Sequence, residues 1–313
     1  MSLPDGVIAD FPLARLTTVR TGGSAQYFAR PEDEETLIEL LSWAGDLEIE
    51  VGVVGSGSNL LVSDAGVRGL VVKLSGKGQL TRIERESDRV LCGGGARLPK
   101  VAAKAARWGL AGIEFGVNIP GSVGGAVRMN ANAYGGALAE TLDAVRVCNC
   151  DGVAERGPEQ LGFSYRHSNL KPGEVVSGAA FSLRAEQVGA VKERMDSMRA
   201  RRHAAQPSGI KTFGSTFKNP DPKAAGVGGR TAGQLLEAAQ CRGLGVGAAR
   251  FSPEHANFVE NRGAATTAEV LELIDLGRRR VRERFGVELE TEVQLLGRVD
   301  RPDRSPGSPR GAS

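Results

Sequence analysis

The stretch VVGSGSNLLVSDAG, residues 53–66, constrains the fold more than any other part of this chain. Gly55 and Gly57 stand at the spacing that opens the dinucleotide fingerprint G-x-G-x-x-G, but position 60 holds Leu60. A Rossmann unit needs a strand, a glycine turn and then a helix whose N-terminus faces the pyrophosphate. Here the β-branched run IEVGVVG (49–55) precedes the loop, and a second such run, GLVVKLS (69–75), follows where the helix would have to begin. The order of elements is wrong for the doubly wound fold. Two readings of the loop remain. One is a plain surface hairpin. The other is a nest in which Gly55, Ser56, Gly57, Ser58 and Asn59 offer successive backbone N–H groups, two hydroxyls and an amide to an anion, without a helix dipole.

A second glycine-rich stretch, NIPGSVGGAVRMNANAYGG (118–136), again sets backbone donors beside small residues that let a flat ligand approach closely. Together the loops account for much of an unusual glycine content, 43 of 313 residues, roughly twice the ordinary share of about 7%. The 40 basic and 37 acidic residues leave a net charge of only +3. That balance argues against a nucleic-acid partner and leaves an anionic small molecule open. No apolar run is long enough to span a bilayer, and the start, MSLPDGVIADFP, lacks the basic-then-apolar order of a signal peptide, so a cytoplasmic protein without a membrane partner is expected. Cys92, Cys148, Cys150 and Cys241 form no C-x-x-C pair and the histidines are scattered, so four reduced thiols and no metal site are expected.

The length suits two or three domains. EDEETLIELLSWAG (32–45) reads as a helix with acidic residues in its first turn and Leu37, Leu40 and Leu41 on one face. With the strands around the first loop it forms an α/β unit over 1–75. LTRIERE (80–86), DRVLCGGG (88–95), LDAVRVCNC (142–150) and EVVSGAAFSL (174–183) read as strands, and LPKVAAKAARW (98–108) as a helix with proline in its first turn, giving a second unit over 76–187. The basic helix VGAVKERMDSMRARRHA (188–204) marks the expected start of a third unit, 188–298. Within it TAGQLLEAAQ and TTAEVLELIDLGRRRVRERFG are helices, the latter opened by a Thr266/Glu269 capping box, while HANFVEN and ETEVQLLG are strands. The Arg/Pro/Ser-rich tail 299–313 is expected to be disordered.

Seven segments then match a known family in order. GSGSNLL (55–61), IPGSVGGAVRMNANAYGG (119–136), YRHS (165–168), GSTFKNP (214–220), AGQLLEAA (232–239), HANFVEN (255–261) and LETEVQLLG (289–297) resemble the signatures of the UDP-N-acetylenolpyruvoylglucosamine reductases of peptidoglycan synthesis. The resemblance covers about residues 10 to 297 and implies an α+β flavoprotein. Two α+β subdomains of vanillyl-alcohol-oxidase (PCMH) type would hold non-covalent FAD, and a C-terminal α/β domain would bind a nucleotide-sugar substrate. In that family NADPH reduces the flavin, flavin N5 gives hydride to C3 of the enolpyruvyl group, and a proton is added at C2.

The resemblance assigns roles residue by residue. Ser215 would be the proton donor, since a neutral hydroxyl gives up its proton without a charge being buried beforehand. Arg166 would stabilise the negative charge that develops towards the substrate carboxylate. Glu292 would be the acidic partner, with Glu290 as the competing assignment because a strand period sets both on one face. FAD would lie against Gly55, Ser56, Gly57, Ser58, Asn59 and Leu60 in the first loop. In the second it would meet Pro120, Gly121, Ser122, Gly124, Gly125, Ala126, Asn130, Ala131 and Gly135, with Val176 beyond. Tyr165, Asn219 and Lys218 would contact the substrate.

This chain departs from the family pattern at several points. Asn118 and Asn132 stand where glycine is usual, and asparagine is the side chain that best tolerates a left-handed backbone there. Ala205 replaces a lysine that reaches the substrate phosphates in many members, which leaves Lys211 and Lys218 as substitutes. The short connection between YRHSNLK and VVSGAAF resembles the subgroup without the extra tyrosine-bearing lid loop. His167, His203 and His255 are expected to be structural, and the arginines of RRRVRER to form a solvated helix face. A monomer or weak homo-oligomer is expected. Competing functions are an FAD-dependent alcohol or sugar oxidase of the same fold and a non-enzymatic nucleotide-sugar binding module.

Overall fold

Runs of valine and leucine set the first sheet. Val67–Val72 has parallel neighbours on both sides, with Val51 opposite Leu70 and Phe28 opposite Val71. The sheet order is Ile8–Pro12, Ser24–Ala29, Val67–Val72, Val51–Val53, and only the outer strand Ile8–Pro12 runs antiparallel. Helix α1 (Glu34–Asp46) starts where Asp33 accepts a hydrogen bond from the Thr36 N–H at 2.9 Å, and it buries Leu37, Leu40, Leu41 and Ala44 against the sheet. The computed structural model describes residues 3–207 and 209–298, so the expected disordered tail, 299–313, lies outside the described residues.

The second unit is an antiparallel five-stranded sheet in the order Gly152–Arg156, Leu142–Asn149, Val175–Ser182, Arg89–Gly93, Ile83–Glu86. Helices α2 (Leu98–Arg107) and α3 (Val123–Arg128) bury Leu98, Val101, Ala105, Val123 and Val127 in its core. Helix α4 (Val188–Ala205) buries Val191 and Met195 in the same core. By packing, then, α4 joins the core of the second unit, although its first residue marks the expected start of the third. The reason is that Val191 and Met195, four residues apart and so on one face, dock a helix many of whose other positions are charged, with Met198 packed partly beside them.

The third unit sets α5 (Ala232–Ala238) and α6 (Thr267–Phe285) against a three-stranded antiparallel sheet, Gly245–Val246, Ala249–Phe251, Val259–Asn261. The Thr266/Glu269 capping box is formed. HANFVEN is extended only from Val259, because His255 to Phe258 closes a turn in which the Phe258 N–H bonds the His255 carbonyl at 3.0 Å. The last strand, Gln294–Leu296, leaves its own unit and pairs in parallel with Leu60–Val62 of the first. Residues 1–31 carried no assigned element in the sequence. Ile8–Pro12 is an edge strand with almost no buried side chain, so it shows no apolar alternation.

First and third units are also joined by a borrowed cap. The Asp64 carboxylate accepts from the N–H groups of Thr267 and Ala268, both at 2.9 Å, at the start of α6. The Thr267 hydroxyl donates to the Val62 carbonyl at 2.5 Å. Asp64→Ala is expected to cost about 1 to 2 kcal/mol, the range of a lost N-cap with its charge–dipole component, read as a lower midpoint in urea unfolding.

Candidate active site

The two glycine loops touch. The Ser56 hydroxyl donates to the Pro120 carbonyl at 2.7 Å and lies 3.2 Å from the Ser58 hydroxyl. Gly57 has φ +68°, and a Cβ there would lie 1.9 Å from the Leu16 carbonyl oxygen, so no other residue fits. A Cβ on Gly55 would lie 2.3 Å from Ser122 Oγ, so close approach of the loops is what requires that glycine. Ser122 caps α3 by accepting from the Gly125 N–H. Leu60 begins the strand that follows, with its side chain half-buried, which explains why a third glycine is not needed there.

The loops have the space and the donors for a flavin dinucleotide. A Cβ on Gly121 or Gly125 would meet nothing closer than 3.7 or 3.5 Å, and one on Gly135 nothing within 4 Å, which leaves a shallow cradle along the second loop. The buried Asn130 carboxamide oxygen has no partner among the described residues, and so is available to a ligand N–H. Ala126, Ala131 and Val176 are buried in the second core, where Val176 lies beneath Gly124 and offers only a wall. Asn118 and Asn132 do not adopt the left-handed backbone expected of them. Asn118 ends a 3-10 turn and Asn132 is in a short strand, while positive φ falls instead on Asn130, at 38°, and on Tyr134, at 53°.

Across from the first loop, Arg166 sits at the tip of a tight turn closed by reciprocal Ser164 and His167 backbone bonds of 3.2 Å. Its φ of +56° is unusual for a residue with a Cβ and carries local strain. Arg166 Nε donates to Glu292 Oε1 at 2.6 Å, and the two side chains are only 18% and 15% exposed. The Arg166 guanidinium also lies 5.2 Å from the Tyr165 ring centroid. Burial pushes the Glu292 carboxyl above its ordinary value, an effect that Arg166 and Lys218 only partly offset.

The two competing glutamates are now distinct. The Glu290 side chain is 77% exposed and holds Lys218 at 3.4 Å, whereas Glu292 is the one brought to Arg166. Tyr165, Lys218 and Asn219 line a single cavity of about 440 Å³, together with Pro220, Asp221 and Glu290. Asn219 also accepts from the Ala232 N–H at 3.1 Å, capping α5. Lys211 is exposed, and its carbonyl accepts from the Asn261 N–H. His255 is half-buried, edge-on to Phe258 at 4.9 Å, and accepts from the Asn257 N–H, a structural role.

Ser215 is placed by backbone. It forms a bridge with Phe258, and the next residue, Thr216, donates its N–H to the Asn257 carbonyl at 2.8 Å and accepts from the Glu292 N–H at 2.9 Å. A Cβ on the preceding Gly214 would lie 3.9 Å from the Ser58 carbonyl oxygen, so the serine segment runs between the first loop and the Glu292 segment. The residue that sequence reasoning missed is Asn257. Its buried side chain accepts from the Phe217 N–H and donates to the Phe217 carbonyl, both at 2.9 Å. Such an amide clasp leaves no signal beyond an asparagine inside an apolar motif. Asn257→Ala strands two buried backbone groups and is expected to cost about 2 to 4 kcal/mol, visible as a lower melting temperature, with flavin affinity retained.

Similarity to known proteins follows the same division of the chain. A family model described as UDP-N-acetylenolpyruvoylglucosamine reductase, C-terminal domain, matches residues 206–296, and one described as FAD binding domain matches residues 25–156. The curated UDP-N-acetylenolpyruvoylglucosamine reductase of Anaeromyxobacter dehalogenans (strain 2CP-C) is 42% identical over 302 residues, spanning 96% of this chain and 88% of that protein. The UDP-N-acetylenolpyruvoylglucosamine reductase 2 of Symbiobacterium thermophilum is 43% identical over 288 residues, 91% of each chain. Among solved structures, the UDP-N-acetylenolpyruvylglucosamine reductase from Thermus caldophilus matches with a TM-score of 0.78 at 36% identity, covering 93% of this chain and 98% of that one.

Proposed function

The chain belongs to the UDP-N-acetylenolpyruvoylglucosamine reductase family, and from that premise we infer that it reduces the enolpyruvyl ether of UDP-N-acetylglucosamine to UDP-N-acetylmuramate, a peptidoglycan precursor. It is an FAD-dependent oxidoreductase whose FAD-binding domain is of the vanillyl-alcohol-oxidase type. The observation that carries the site reading is the Arg166–Glu292 pair. It is tied to the first glycine loop by the Asn59 carboxamide, which donates to the Glu292 carbonyl at 3.2 Å. That contact sets a fixed cation and a desolvated carboxyl beside the cofactor loop.

Bound FAD, once reduced by NADPH, would supply the hydride for addition at C3 of the enolpyruvyl double bond. Addition leaves an electron pair at C2 that spreads into the substrate carboxylate. Arg166 is the cation held for that charge, and because Glu292 and the tight turn fix its direction beforehand, little reorganisation is needed as charge develops. Ser215 delivers the proton to C2. Glu292, kept from easy ionisation by burial, steadies Arg166 and assists at the enolate in its protonated form or through a water. Tyr165, Lys218 and Asn219 bind the nucleotide-sugar in the cavity they line, and Lys218 is the cation there that substitutes for the lysine replaced by Ala205. Gly55 to Leu60 in the first loop, and Pro120, Gly121, Ser122, Gly124, Gly125, Ala126, Asn130, Ala131 and Gly135 in the second, would hold the cofactor.

The purified protein is expected to be yellow and to release FAD on denaturation. A colourless protein that takes up no FAD on reconstitution defeats the reading, and reoxidation by oxygen with no response to the enolpyruvyl UDP-sugar points to an oxidase instead. Ser215→Ala should leave anaerobic flavin reduction by NADPH nearly intact while slowing reoxidation by the substrate by several powers of ten. Equal loss in both half-reactions would mean that the serine supports folding only. The pH profile of the substrate half-reaction tests Glu292. Its pKa is raised, so the protonated form persists above the ordinary carboxylate range, and the rate should fall as pH rises through that raised value. Glu292→Gln should flatten this limb, as read by stopped-flow rates across pH.

A further inference from the structure

Where the two glycine loops meet, the chain gathers cations that the chemistry above does not use. Lys73 follows the strand Val67–Val72, with its backbone N–H on the Ala29 carbonyl at 3.0 Å, so its side chain leaves the first unit at the seam with the second. Its ammonium donates to the Gly55 carbonyl at 2.5 Å, inside the first loop. Arg30 follows the neighbouring strand and holds its guanidinium 5.3 Å from the Phe28 ring centroid. Arg97, from the second unit, opens α2 and forms an antiparallel bridge with Ser122 of the second loop.

Lys73 is half-buried, and Arg30 and Arg97 are exposed at its rim. Burial, followed by the charges of the two arginines, pushes the Lys73 ammonium down to about 8. None of the three forms an ion pair with a carboxylate among the described residues. A desolvated cation flanked by two more, with no acid in reach, is unfavourable unless an anion completes it. The surrounding donors identify that anion. Gly55, Ser56 and Ser122 belong to the two loops, whereas the substrate cavity is lined by third-unit residues such as Lys218 and Glu290 with Tyr165 from the second unit, and by no residue of either loop.

We propose that Lys73, with Arg97 and Arg30 at the rim, neutralises the pyrophosphate of the bound flavin dinucleotide. The proposal rests on the FAD-dependent reading above. Backbone donors orient the phosphates, while the ammonium, a compact point charge on a flexible stem, supplies the countercharge that a nest without a helix dipole lacks. Lys73 is therefore a binding residue and takes no part in hydride or proton transfer.

The test uses the full-length chain stripped of flavin and titrated with FAD, with ADP, and separately with the UDP-sugar. Lys73→Met should lose about 10- to 100-fold in affinity for FAD and for ADP, the size expected of one charge-assisted contact, while UDP-sugar affinity of the reconstituted enzyme holds. Lys73→Arg should stay within about 3-fold of wild type, because the charge is kept. Arg97→Met, at the exposed rim, should lose about 3- to 10-fold, weakening further as salt is removed from the wild-type comparison. A thermal readout separates binding from folding. Without flavin, Lys73→Met should melt no more than about 2 °C below wild type, since like-charge repulsion is relieved, and its FAD-induced rise in melting temperature should shrink.

Unchanged FAD affinity in Lys73→Met overturns the assignment. So does a large fall in the flavin-free melting temperature with an undiminished FAD-induced rise, which would make Lys73 structural. Lost UDP-sugar affinity with FAD binding intact would hand the cation to the substrate instead. Failure of the wild-type chain to bind FAD at all would sink the flavoenzyme reading itself, a different outcome from any of these.

Discussion

Leu60 opposite Gln294, Leu61 opposite Leu295 and Val62 opposite Leu296 form the parallel pairing on which the site depends. One side of it emerges directly from the first glycine loop, and the other follows Glu292 by two residues. The Gln294 N–H bonds the Asn59 carbonyl at 3.1 Å, and the Asn59 side chain bonds the Glu292 carbonyl. A slip of one residue would turn Glu292 away from Arg166, because strand side chains alternate between faces. Parallel neighbours cannot be joined by a hairpin, and the Asn59–Glu292 bond beside the pairing spans 233 residues, so both form only when the third unit closes on the first.

Closure is held by several unlike interactions. Asp64 caps α6, Thr267 reaches the Val62 carbonyl, Asn261 donates to the Val19 carbonyl at 2.8 Å, and Val19 and Leu61 fill the core of the third unit. Since each uses a different chemical group, together they specify one arrangement of the units. Their consequence is electrostatic. A glutamate that would titrate normally on an open strand is desolvated next to an arginine, and the arginine is held in a backbone conformation that costs energy unless the surroundings enforce it. Rigidity of this kind suits a group that must meet charge appearing during a reaction.

Much of the chain was legible before its structure. Helices α1 and α6 follow apolar spacing and local caps, α2 follows apolar spacing and a proline in its first turn, and the strands of the second unit follow β-branched runs, because those signals act between residues within one turn or one strand. Ile8–Pro12 was not legible, since an edge strand with exposed side chains leaves no alternation to read. The packing of α4 was not legible, because composition marks a change of surface, while Val191 and Met195 decide what it packs on. Asn118 and Asn132 mislead in a similar way. Tolerance of a left-handed backbone is a property of the residue, but whether that backbone is adopted is a property of the loop.

The sequence by itself determined the kind of protein: the order strand, glycine loop, strand rules out the Rossmann fold, and seven ordered motifs carry the family. Only the tertiary structure brought Glu292 to Arg166 and left Glu290 with Lys218, formed the Asn257 clasp on Phe217 and gathered Lys73, Arg30 and Arg97 at the seam between units. The physical reason is range. Caps, turns and periodicity are set by neighbours along the chain, whereas burial, charge pairing and the strain they sustain arise between segments that meet only after folding.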